Sequence, residues 1–304
     1  MSPLTKYQPT SSRGKALFAL SLVCFFWGTT WLASRKGVEH MPALQLSGIR
    51  QLIGGTIYVG WFIYKKFPWP KGKDWGPILI LSFLNFIIAN GFSTWGLEGI
   101  RSGGLGAIIG AIFPLWLVII GLFTDKSKMP VMAIIGLILG FGGVCVIFIE
   151  HFNDFFNPDF RMGIILSLIA TLAWAFGTLY TKKQAHHFNA YFSLGLQMFI
   201  SGVVLSLIAP LSGRSIPITE VPWEAWASIA YLVIFGSIVS FIAYLYSLQR
   251  LPTELASIYA YINPIVAVVL GAWIFQEKMT FYIGIGGLIA ILGVYLVNRA
   301  YKIK

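Results

Sequence analysis

The sequence predicts an all-α integral membrane protein whose ten transmembrane helices form two inverted five-helix repeats. Three observations lead to this fold class: a very apolar composition, ten apolar runs of membrane-spanning length, and marker residues that recur in both halves. Hydrophobic residues make up 57% of the 304 residues and charged residues 11%, whereas soluble domains carry about 25% charged residues. In water such a chain would expose too much apolar surface, which excludes the soluble class.

The apolar runs each have about the 20 residues that a bilayer-crossing helix needs. They lie near 16–34, 44–64, 76–97, 102–123, 130–149, 162–180, 190–211, 225–247, 254–275 and 281–299. The first run lacks a small-x-small cleavage site, so we interpret it as an uncleaved span. This pattern divides the chain into an N-terminal tail (1–15), a first repeat (16–150), an external loop (151–161) and a second repeat (162–304).

The charges predict the orientation in the membrane. Lysine and arginine give the chain a net charge of +11, but they lie in short loops between apolar runs and not along one face of a folded domain, so we expect no nucleic-acid partner. With ten spans, 15 of the 22 lysines and arginines fall on the side of the termini and six on the other side. The positive-inside rule then places both termini in the cytoplasm, in a multi-pass protein of the cell (inner) membrane.

The two halves carry paired markers at nearly constant spacing. Trp27 and Trp174 are separated by 147 residues, and Pro114 and Pro264 by 150. A unit of five helices begins and ends on opposite sides of the membrane, so its copy must be inverted. Inverted repeats of this kind hold their solute site near the midplane, between the repeats. Because proline removes a backbone hydrogen bond and kinks a helix, we interpret Pro114 and Pro264 as hinges, with a static packing bend as the alternative.

Several segments resemble the EamA-type members of the drug/metabolite transporter superfamily. They are WGT (27–29), GIR (48–50), SFIAYLYSLQRLP (240–252), ELASIYAYINP (254–264) and FQEKMT (275–280), in that order over essentially the whole chain. The resemblance implies a central cavity lined mainly by helices 1, 3, 4, 6, 8 and 9. It also implies export or exchange of metabolites such as amino acids, sugars, nucleotides or drugs. One departure is Ser127, which stands in the first half where Glu277 stands in the second.

Arg50 is the sharpest single signal in the sequence, because a charge inside a transmembrane helix normally faces a cavity or a partner. One interpretation is a contact to an anionic or carboxylate-bearing solute, which suits the planar fork of the guanidinium group. The other is a structural anchor that donates to helix-end carbonyls. Its equivalent in the second half is Gln197, which is also polar.

The other candidate cavity residues are polar or aromatic side chains on helices 1, 3, 6, 8 and 9. They are Trp27, Thr30, Asn90, Thr94, Trp95, Trp174, Thr178, Ser240, Tyr244, Tyr259 and Asn263. Polar groups beside an aromatic wall suit a small, partly apolar solute. Hydrogen bonding between helices is the alternative interpretation, and the sequence leaves both open.

The sequence also bounds the chemistry of the protein. Its acidic residues nearest the membrane, Glu98, Glu254 and Glu277, lie at helix ends, which disfavours proton coupling through a mid-membrane carboxylate. Cys24 and Cys145 lack metal-ligand spacing, so we expect no metal and no cofactor. We predict a non-enzymatic transporter that exports or exchanges small organic solutes, amino-acid-like or drug-like, by alternating access. Its partners are a small-molecule substrate and the lipid bilayer, and the choice between monomer and homodimer stays open.

Two other classes remain as alternatives. A membrane-embedded enzyme acting on a lipid-linked substrate would need clustered acids or histidines, and the sequence offers only the loose set His151, Asp154 and Asp159. A passive channel would tolerate more extensive rings of polar residues at mid-span than these helices carry.

Overall fold

The structure is a computed structural model that describes residues 10–100, 103–124, 129–147, 149, 156–184, 188–275 and 281–300. All regular elements in these ranges are helical. The α-helices, numbered α1 to α14, are Thr10–Val38, Ala43–Tyr64, Trp75–Leu81, Ser93–Ile100, Gly103–Gly110, Phe113–Thr124, Val131–Ile147, Pro158–Gln184, Ala190–Leu211, Trp223–Tyr231, Ser240–Leu248, Thr253–Ala256, Tyr259–Phe275 and Phe281–Ala300. Of the residues used in the sequence argument, Ser127, His151, Asp154 and Glu277 lie outside the described ranges.

Six helical runs within the described ranges are long and apolar enough to cross a membrane. They are Arg13–Val38, Gly72–Ile100, Phe160–Gln184, Ala190–Leu211, Trp223–Leu248 and Thr253–Ile274, and shorter apolar helices cover Val131–Gly143 and Gly284–Val297. Helix α2 has 22 residues, but Gln45, Arg50 and Gln51 lower its hydropathy. The chain is therefore a multi-pass integral membrane protein, and the number of ten spans stays a prediction.

Two of the long helical runs contain a π-helical segment that the sequence did not predict. Ser82–Phe92 joins α3 to α4, and Leu232–Val239 joins α10 to α11. In each run a polar side chain donates to the carbonyl five residues earlier: Asn90 Nδ2 lies 2.7 Å from Asn85 O, and Ser240 Oγ lies 2.6 Å from Phe235 O. A π segment widens the turn and displaces backbone carbonyls from the α-helical pattern, and these side chains satisfy the displaced groups.

The paired prolines have different surroundings. Helix α5 ends at Gly110 and α6 begins at Phe113, so the helix is interrupted immediately before Pro114. Proline crowds the carbonyl four residues earlier, and for Pro114 that residue is Gly110. Pro264 instead lies inside the continuous helix α13, and the interruption in that half comes earlier, between α12 and α13. Pro114 therefore lies in the first turn of α6 and Pro264 in the interior of α13, and the hinge role of both stays a prediction.

The two halves pack through reciprocal helix pairs. Helix α2 crosses α9, α7 crosses α14, and α1 packs against α13 while α8 packs against α5 and α6. At the α2–α9 crossing, a Cβ on Gly55 would overlap the backbone nitrogen of Phe199, and a Cβ on Gly202 would overlap that of Leu52. The glycines thus let the two backbones touch, which supplies dispersion contact where lipid provides no hydrophobic drive between helices.

The helix ends gather at two opposite ends of the bundle. We call one the Glu98 face, which carries Val38, Ala43, Ile100, Leu211 and Trp223, and the other the Gln184 face, which carries Tyr64, Trp75, Gln184, Ala190 and Leu248. At the Glu98 face, Glu98 accepts a hydrogen bond from the Ala43 amide at 2.6 Å and pairs with Arg214 at 3.0 Å. At the Gln184 face, Ser247 Oγ donates to the carbonyl of Ala16 at 3.0 Å. Side chains therefore join the two halves at both ends.

Candidate functional site

An aromatic layer fills the centre of the bundle between the two faces. The ring of Trp27 contacts four other rings with centroid distances of 4.9–5.7 Å, namely those of Trp174, Phe241, Tyr244 and Tyr259. Three of these contacts are edge-to-face, an arrangement that aromatic quadrupoles favour. Because α1, α8, α11 and α13 each contribute a ring, the layer joins both repeats at one point.

Hydrogen bonds fix the orientation of these rings. Trp174 Nε1 donates to the Tyr259 hydroxyl at 2.7 Å, and Trp27 Nε1 donates to the carbonyl of Gly236 at 3.1 Å. The Tyr244 and Thr178 hydroxyls lie 2.8 Å apart. The carbonyl of Gly236 belongs to the second π-helical segment, so Trp27 of the first half is tied to an irregular stretch of the second. The aromatic layer is therefore held by directional contacts as well as by packing.

A cavity of about 150 Å³ extends from this layer toward the Glu98 face. Its polar lining consists of Thr30, Ser34, Arg50, Asn90, Ser93, Thr94, Ser167, Thr171 and Asn263. Its aromatic lining consists of Trp27, Trp31, Phe113, Trp174, Phe241 and Tyr259, and small residues such as Ala107 and Gly110 complete the wall. A void of about 150 Å³ can hold a ligand the size of benzene. We call this space the Glu98-side cavity.

Helical periodicity brings these side chains together on α1 and α8. On α1, Trp27, Thr30, Trp31 and Ser34 follow the spacing i, i+3, i+4, i+7 and line one stripe of the helix. On α8, Ser167, Thr171 and Trp174 repeat at i, i+4, i+7. The same stripe of α8 continues to Thr178, beyond the aromatic layer. Helices α1 and α8 therefore each present polar and aromatic side chains to the Glu98-side cavity.

Arg50 lines the Glu98-side cavity from α2 and is 7% exposed. Its Nε donates to the Ser237 hydroxyl at 3.1 Å. Gly236 makes room for the guanidinium group, because a Cβ there would lie 2.9 Å from Arg50 Nη2. Among the described residues, no carboxylate lies within ion-pair distance of Arg50. Its described partner is thus a serine hydroxyl and not a helix-end carbonyl.

Asn263 and the π-helical residues complete the polar wall. With its amide nitrogen turned toward α1, Asn263 Nδ2 donates to the carbonyls of Tyr259 and Cys24, each at 2.9 Å. The Thr94 hydroxyl donates to the carbonyl of Asn90 at 2.8 Å. These groups hold their orientation through backbone contacts, so the cavity wall is largely preformed.

A second cavity of about 360 Å³ lies on the other side of the aromatic layer, toward the Gln184 face. Its polar and charged lining consists of Lys73, Asp74, Asn85, Thr178, Thr181, Gln184, Ser193, Gln197 and Tyr244. Trp174 and Phe241 line both cavities. We call this space the Gln184-side cavity, and the Trp174–Phe241 pair is the partition that it shares with the first.

The structure brings most of the predicted site residues to these two cavities. Eight line the Glu98-side cavity: Trp27, Thr30, Arg50, Asn90, Thr94, Trp174, Tyr259 and Asn263. Thr178 and Tyr244, together with Trp174, line the Gln184-side cavity. The proline pair contributes no lining residue to either, although Phe113 beside Pro114 lines the first.

Two predicted residues line neither of the described cavities. Trp95 follows Thr94, and consecutive residues of an α-helix project about 100° apart, so Trp95 packs instead against Leu44 and Leu205. The Arg214 guanidinium group stacks on its ring at 4.6 Å. Ser240 is fully buried and donates to the Phe235 carbonyl. Its role is to satisfy the second π-helical segment.

Sequence reasoning missed several lining residues that a helical stripe would have found. Trp31, Ser34, Ser167 and Thr171 share the stripes of Trp27 and Trp174 at i±3, i±4 and i±7. Phe241 was missed for a different reason. Its apolar ring is indistinguishable in the sequence from a lipid-facing phenylalanine, and only the fold shows that it separates two cavities.

The helices and the paired cavities define the class of a polytopic membrane protein with two cavities inside its helix bundle. The sequence profile of the EamA-like transporter family matches residues 14–149 and again residues 161–299. The chain belongs to the EamA-like transporter family and carries its domain twice. It is accordingly a membrane transporter.

Relatives from several organisms agree with this assignment. The chain is 29% identical over 267 residues to YedA of Escherichia coli strain K12, named as an uncharacterized inner membrane transporter; the match covers 87% of this chain and 83% of YedA. It is 27% identical over 292 residues to the uncharacterized transporter YvbV of Bacillus subtilis strain 168, covering 93% and 91%. One crystal structure of another protein has a TM-score of 0.77 at 15% identity, covering 96% of this chain and 99% of that one, and it shows likeness of fold alone.

Proposed function

We propose that this transporter exports or exchanges small organic metabolites, amino-acid-like or drug-like, by alternating access across the cell (inner) membrane. The observation that carries the proposal is the pair of cavities on opposite sides of one partition, Trp174 and Phe241. Alternating access needs a barrier that is thin enough to move from one side of the solute to the other. A single layer of rings meets that requirement.

The reciprocal packing of the two halves supports ten spans in two inverted repeats. Arg50 on α2 donates to Ser237 in the second π-helical segment. On α9, the carbonyl of Gln197, the equivalent of Arg50, accepts from Ser82 in the first π-helical segment at 3.0 Å. At both places a serine of the π-helical segment bonds to the facing helix of the other half, to the side chain of Arg50 in one case and to the backbone of Gln197 in the other. Two such halves can exchange conformations, which would move the opening from one face to the other.

The proposed orientation places the Gln184 face and both termini in the cytoplasm. Lys65, Lys66, Lys71 and Lys73 lie beside that face, and Lys182 and Lys183 end α8 there. The positive-inside rule counts such loop cations. A cytoplasmic reporter fused after Lys304 is expected to be active, and activity from a periplasmic reporter alone would contradict this orientation.

Solute counterflow tests the transport function. Purified protein would be reconstituted into liposomes loaded with an unlabelled mixture of amino acids and small carboxylates, and the uptake of each labelled solute would be measured. We expect transient accumulation of at least one solute above its external concentration, because exchange couples inward to outward movement. A channel would only equilibrate the label, and liposomes with uptake equal to protein-free liposomes would contradict transport altogether.

A variant with a filled cavity tests whether counterflow passes through the Glu98-side cavity. Ser34→Trp places a large ring in the Glu98-side cavity, and Ser21→Trp places the same ring on an exposed position of the same helix. Counterflow is expected to fall for Ser34→Trp and to persist for Ser21→Trp. Equal counterflow in both variants would contradict this route.

A further inference from the structure

The charge inside the Glu98-side cavity is unbalanced. Arg50 is the only charged side chain among the described residues that line it. Glu98, on the same face, lies outside the lining and is engaged with the Ala43 amide and with Arg214. The described lining therefore carries a net positive charge, and it resides on a buried side chain, where salt screens little.

The guanidinium group of Arg50 is held by one hydrogen bond, and most of its N–H donors have no partner in the described part of the chain. An arginine side chain has five N–H donors, and Nε uses one of them on Ser237. In the described part of the chain the two terminal nitrogens make no hydrogen bond, although Arg50 is 7% exposed and lines the cavity. The Ser237 contact fixes the plane of the fork and leaves four N–H groups for another partner.

A buried and unpaired cation is costly, so it attracts an anion from the pathway. A charge taken out of water needs a partner or its solvation is lost. The planar fork matches a carboxylate in a two-bond arrangement, with bonds that are shorter and stronger than neutral ones. The terminal nitrogens of Arg50 are thus suited to hold one carboxylate.

The remainder of the wall determines what the carboxylate is attached to. The rings of Trp27, Trp174 and Tyr259 form one side, and they suit a flat or apolar body. Hydroxyl and amide groups line the other side. No described lining residue offers a carboxylate to an ammonium group, so a zwitterion would lose the hydration of its amine without gaining an ion pair.

We infer that the Glu98-side cavity selects small organic monocarboxylates without an ammonium group, and that Arg50 binds their carboxylate. This inference rests on the proposed transport function and names the substrate class of the same site. Within the proposed range of solutes it favours acids without an amine over amino acids, for which the described lining offers no acidic partner.

Three matched probes test this inference by direct binding to the purified protein in detergent. Phenylacetate has the ring and the carboxylate, phenylacetamide replaces the carboxylate by a neutral amide, and phenylglycine adds an ammonium group to phenylacetate. By calorimetry we expect saturable binding of phenylacetate, with the other two at least about tenfold weaker. Equal affinity of phenylacetamide or phenylglycine, or no saturable binding of phenylacetate, would overturn the inference.

Arginine variants locate the binding. Arg50→Gln, which introduces the residue type of the equivalent Gln197, is expected to weaken phenylacetate binding at least about tenfold and to leave phenylacetamide unchanged. Arg50→Lys keeps the charge but loses the planar fork. We expect its affinity for phenylacetate to lie between that of Arg50→Gln and that of the wild type. Arg214→Gln is the matched control outside the cavity and is expected to bind like the wild type. If Arg50→Gln melts like the wild type and binds phenylacetate equally well, Arg50 is only a structural anchor; if it does not fold, Arg50→Lys and the three probes decide.

Binding and flux separate this inference from the proposed function. Arg50-dependent phenylacetate binding without any counterflow would sustain the inference and contradict transport. Counterflow of phenylacetamide or phenylglycine that equals or exceeds that of phenylacetate would sustain transport and overturn the inference.

Discussion

Trp174 belongs to the aromatic layer and to the walls of both cavities. It lines both cavities, contacts the ring of Trp27 and donates to the Tyr259 hydroxyl. For Trp174→Ala we expect the two cavities to join, because the indole is half of the partition between them. In reconstituted liposomes the variant should release small solutes in proportion to concentration, with counterflow reduced at least about tenfold.

Trp273→Ala is the matched control for this prediction. Trp273 lies on α13, is 80% exposed and faces away from the described cavities. Its removal should leave counterflow at the wild-type rate. Wild-type counterflow and no leak in Trp174→Ala would mean that Phe241 and its neighbours form the barrier without the indole.

The sequence pointed to cavity-lining positions where side-chain chemistry and helical spacing agreed. Trp27, Thr30 and Arg50 line the Glu98-side cavity, and their contact with a solute stays a prediction. Trp95 was expected beside Thr94, but one step along an α-helix turns it toward α2 and α9. Sequence gives the period of a helix, whereas its rotation depends on packing partners that only the fold supplies.

At the scale of elements, the π-helical segments are the feature that the sequence did not predict. Asn90 and Ser240 were both recognised as polar intramembrane residues and interpreted as candidate solute contacts. The structure shows that each donates to a backbone carbonyl five residues earlier. A π segment replaces the i to i−4 bonding pattern locally, and composition or hydropathy carries no mark of that change.

Ser240→Ala tests whether these side chains support the π-helical segments. Ser240 is fully buried and lines neither described cavity, so its loss should act on stability and not on solute contact. Leaving the Phe235 carbonyl without this donor is expected to cost about 1 kcal/mol. Thermal unfolding in detergent should then begin about 2–4 °C lower.

Ser21→Ala is the control for the loss of a helical serine. Ser21 is exposed on α1 and its hydroxyl donates to the Phe18 carbonyl, which α-helical bonding can also satisfy. We expect Ser21→Ala to leave the unfolding temperature unchanged. An unfolding temperature of Ser240→Ala equal to that of Ser21→Ala would show that the π-helical segment needs no side-chain donor.

The crossing of α2 and α9 makes a second element-scale prediction. A Cβ on Gly55 would overlap the Phe199 backbone, whereas a Cβ on Gly60 of the same helix meets no atom within 4 Å. Gly55→Ala is therefore expected to force the helices apart and to destabilise the protein by about 1–3 kcal/mol. Gly60→Ala should be neutral or slightly stabilising because alanine favours the helix. The test is to compare the thermal unfolding midpoints of the two variants. Equal midpoints would contradict the close approach of the α2 and α9 backbones at Gly55.

At the scale of the whole molecule, the sequence predicted the membrane-protein class and the repeat, but not the difference between the two halves at the paired prolines. Composition and apolar spacing lead directly to a polytopic membrane protein, because bilayer thickness fixes the length of a span. The paired prolines suggested matching hinges. The helix is interrupted just before Pro114, whereas Pro264 lies inside a continuous helix, and the hinge role of both stays a prediction. Two halves with related sequences thus adopt different local conformations around the paired prolines.

The two cavities also predict a coupling between distant positions. Ser34 lines the Glu98-side cavity, and its equivalent 147 residues later, Thr181, lines the Gln184-side cavity. We would introduce Ser34→Cys and Thr181→Cys together, with Cys24→Ala and Cys145→Ser. A bulky maleimide attached at position 34 should hold the first cavity open. Alternating access then requires the second cavity to close, so labelling at position 181, followed by mass spectrometry, should slow at least about tenfold.

A small modification separates this coupling from a simple loss of structure. A methyl-sized thiol reagent at position 34 leaves the cavity nearly unfilled, so labelling at position 181 should keep its original rate. A rigid scaffold or a channel predicts equal rates after either modification, because its two cavities open independently. The bulky reagent shifts the equilibrium only if the two conformations differ in how well they accommodate it. Alternating access therefore predicts that the labelling rate at position 181 depends on the size of the group attached at position 34. Two unconnected cavities predict no such dependence.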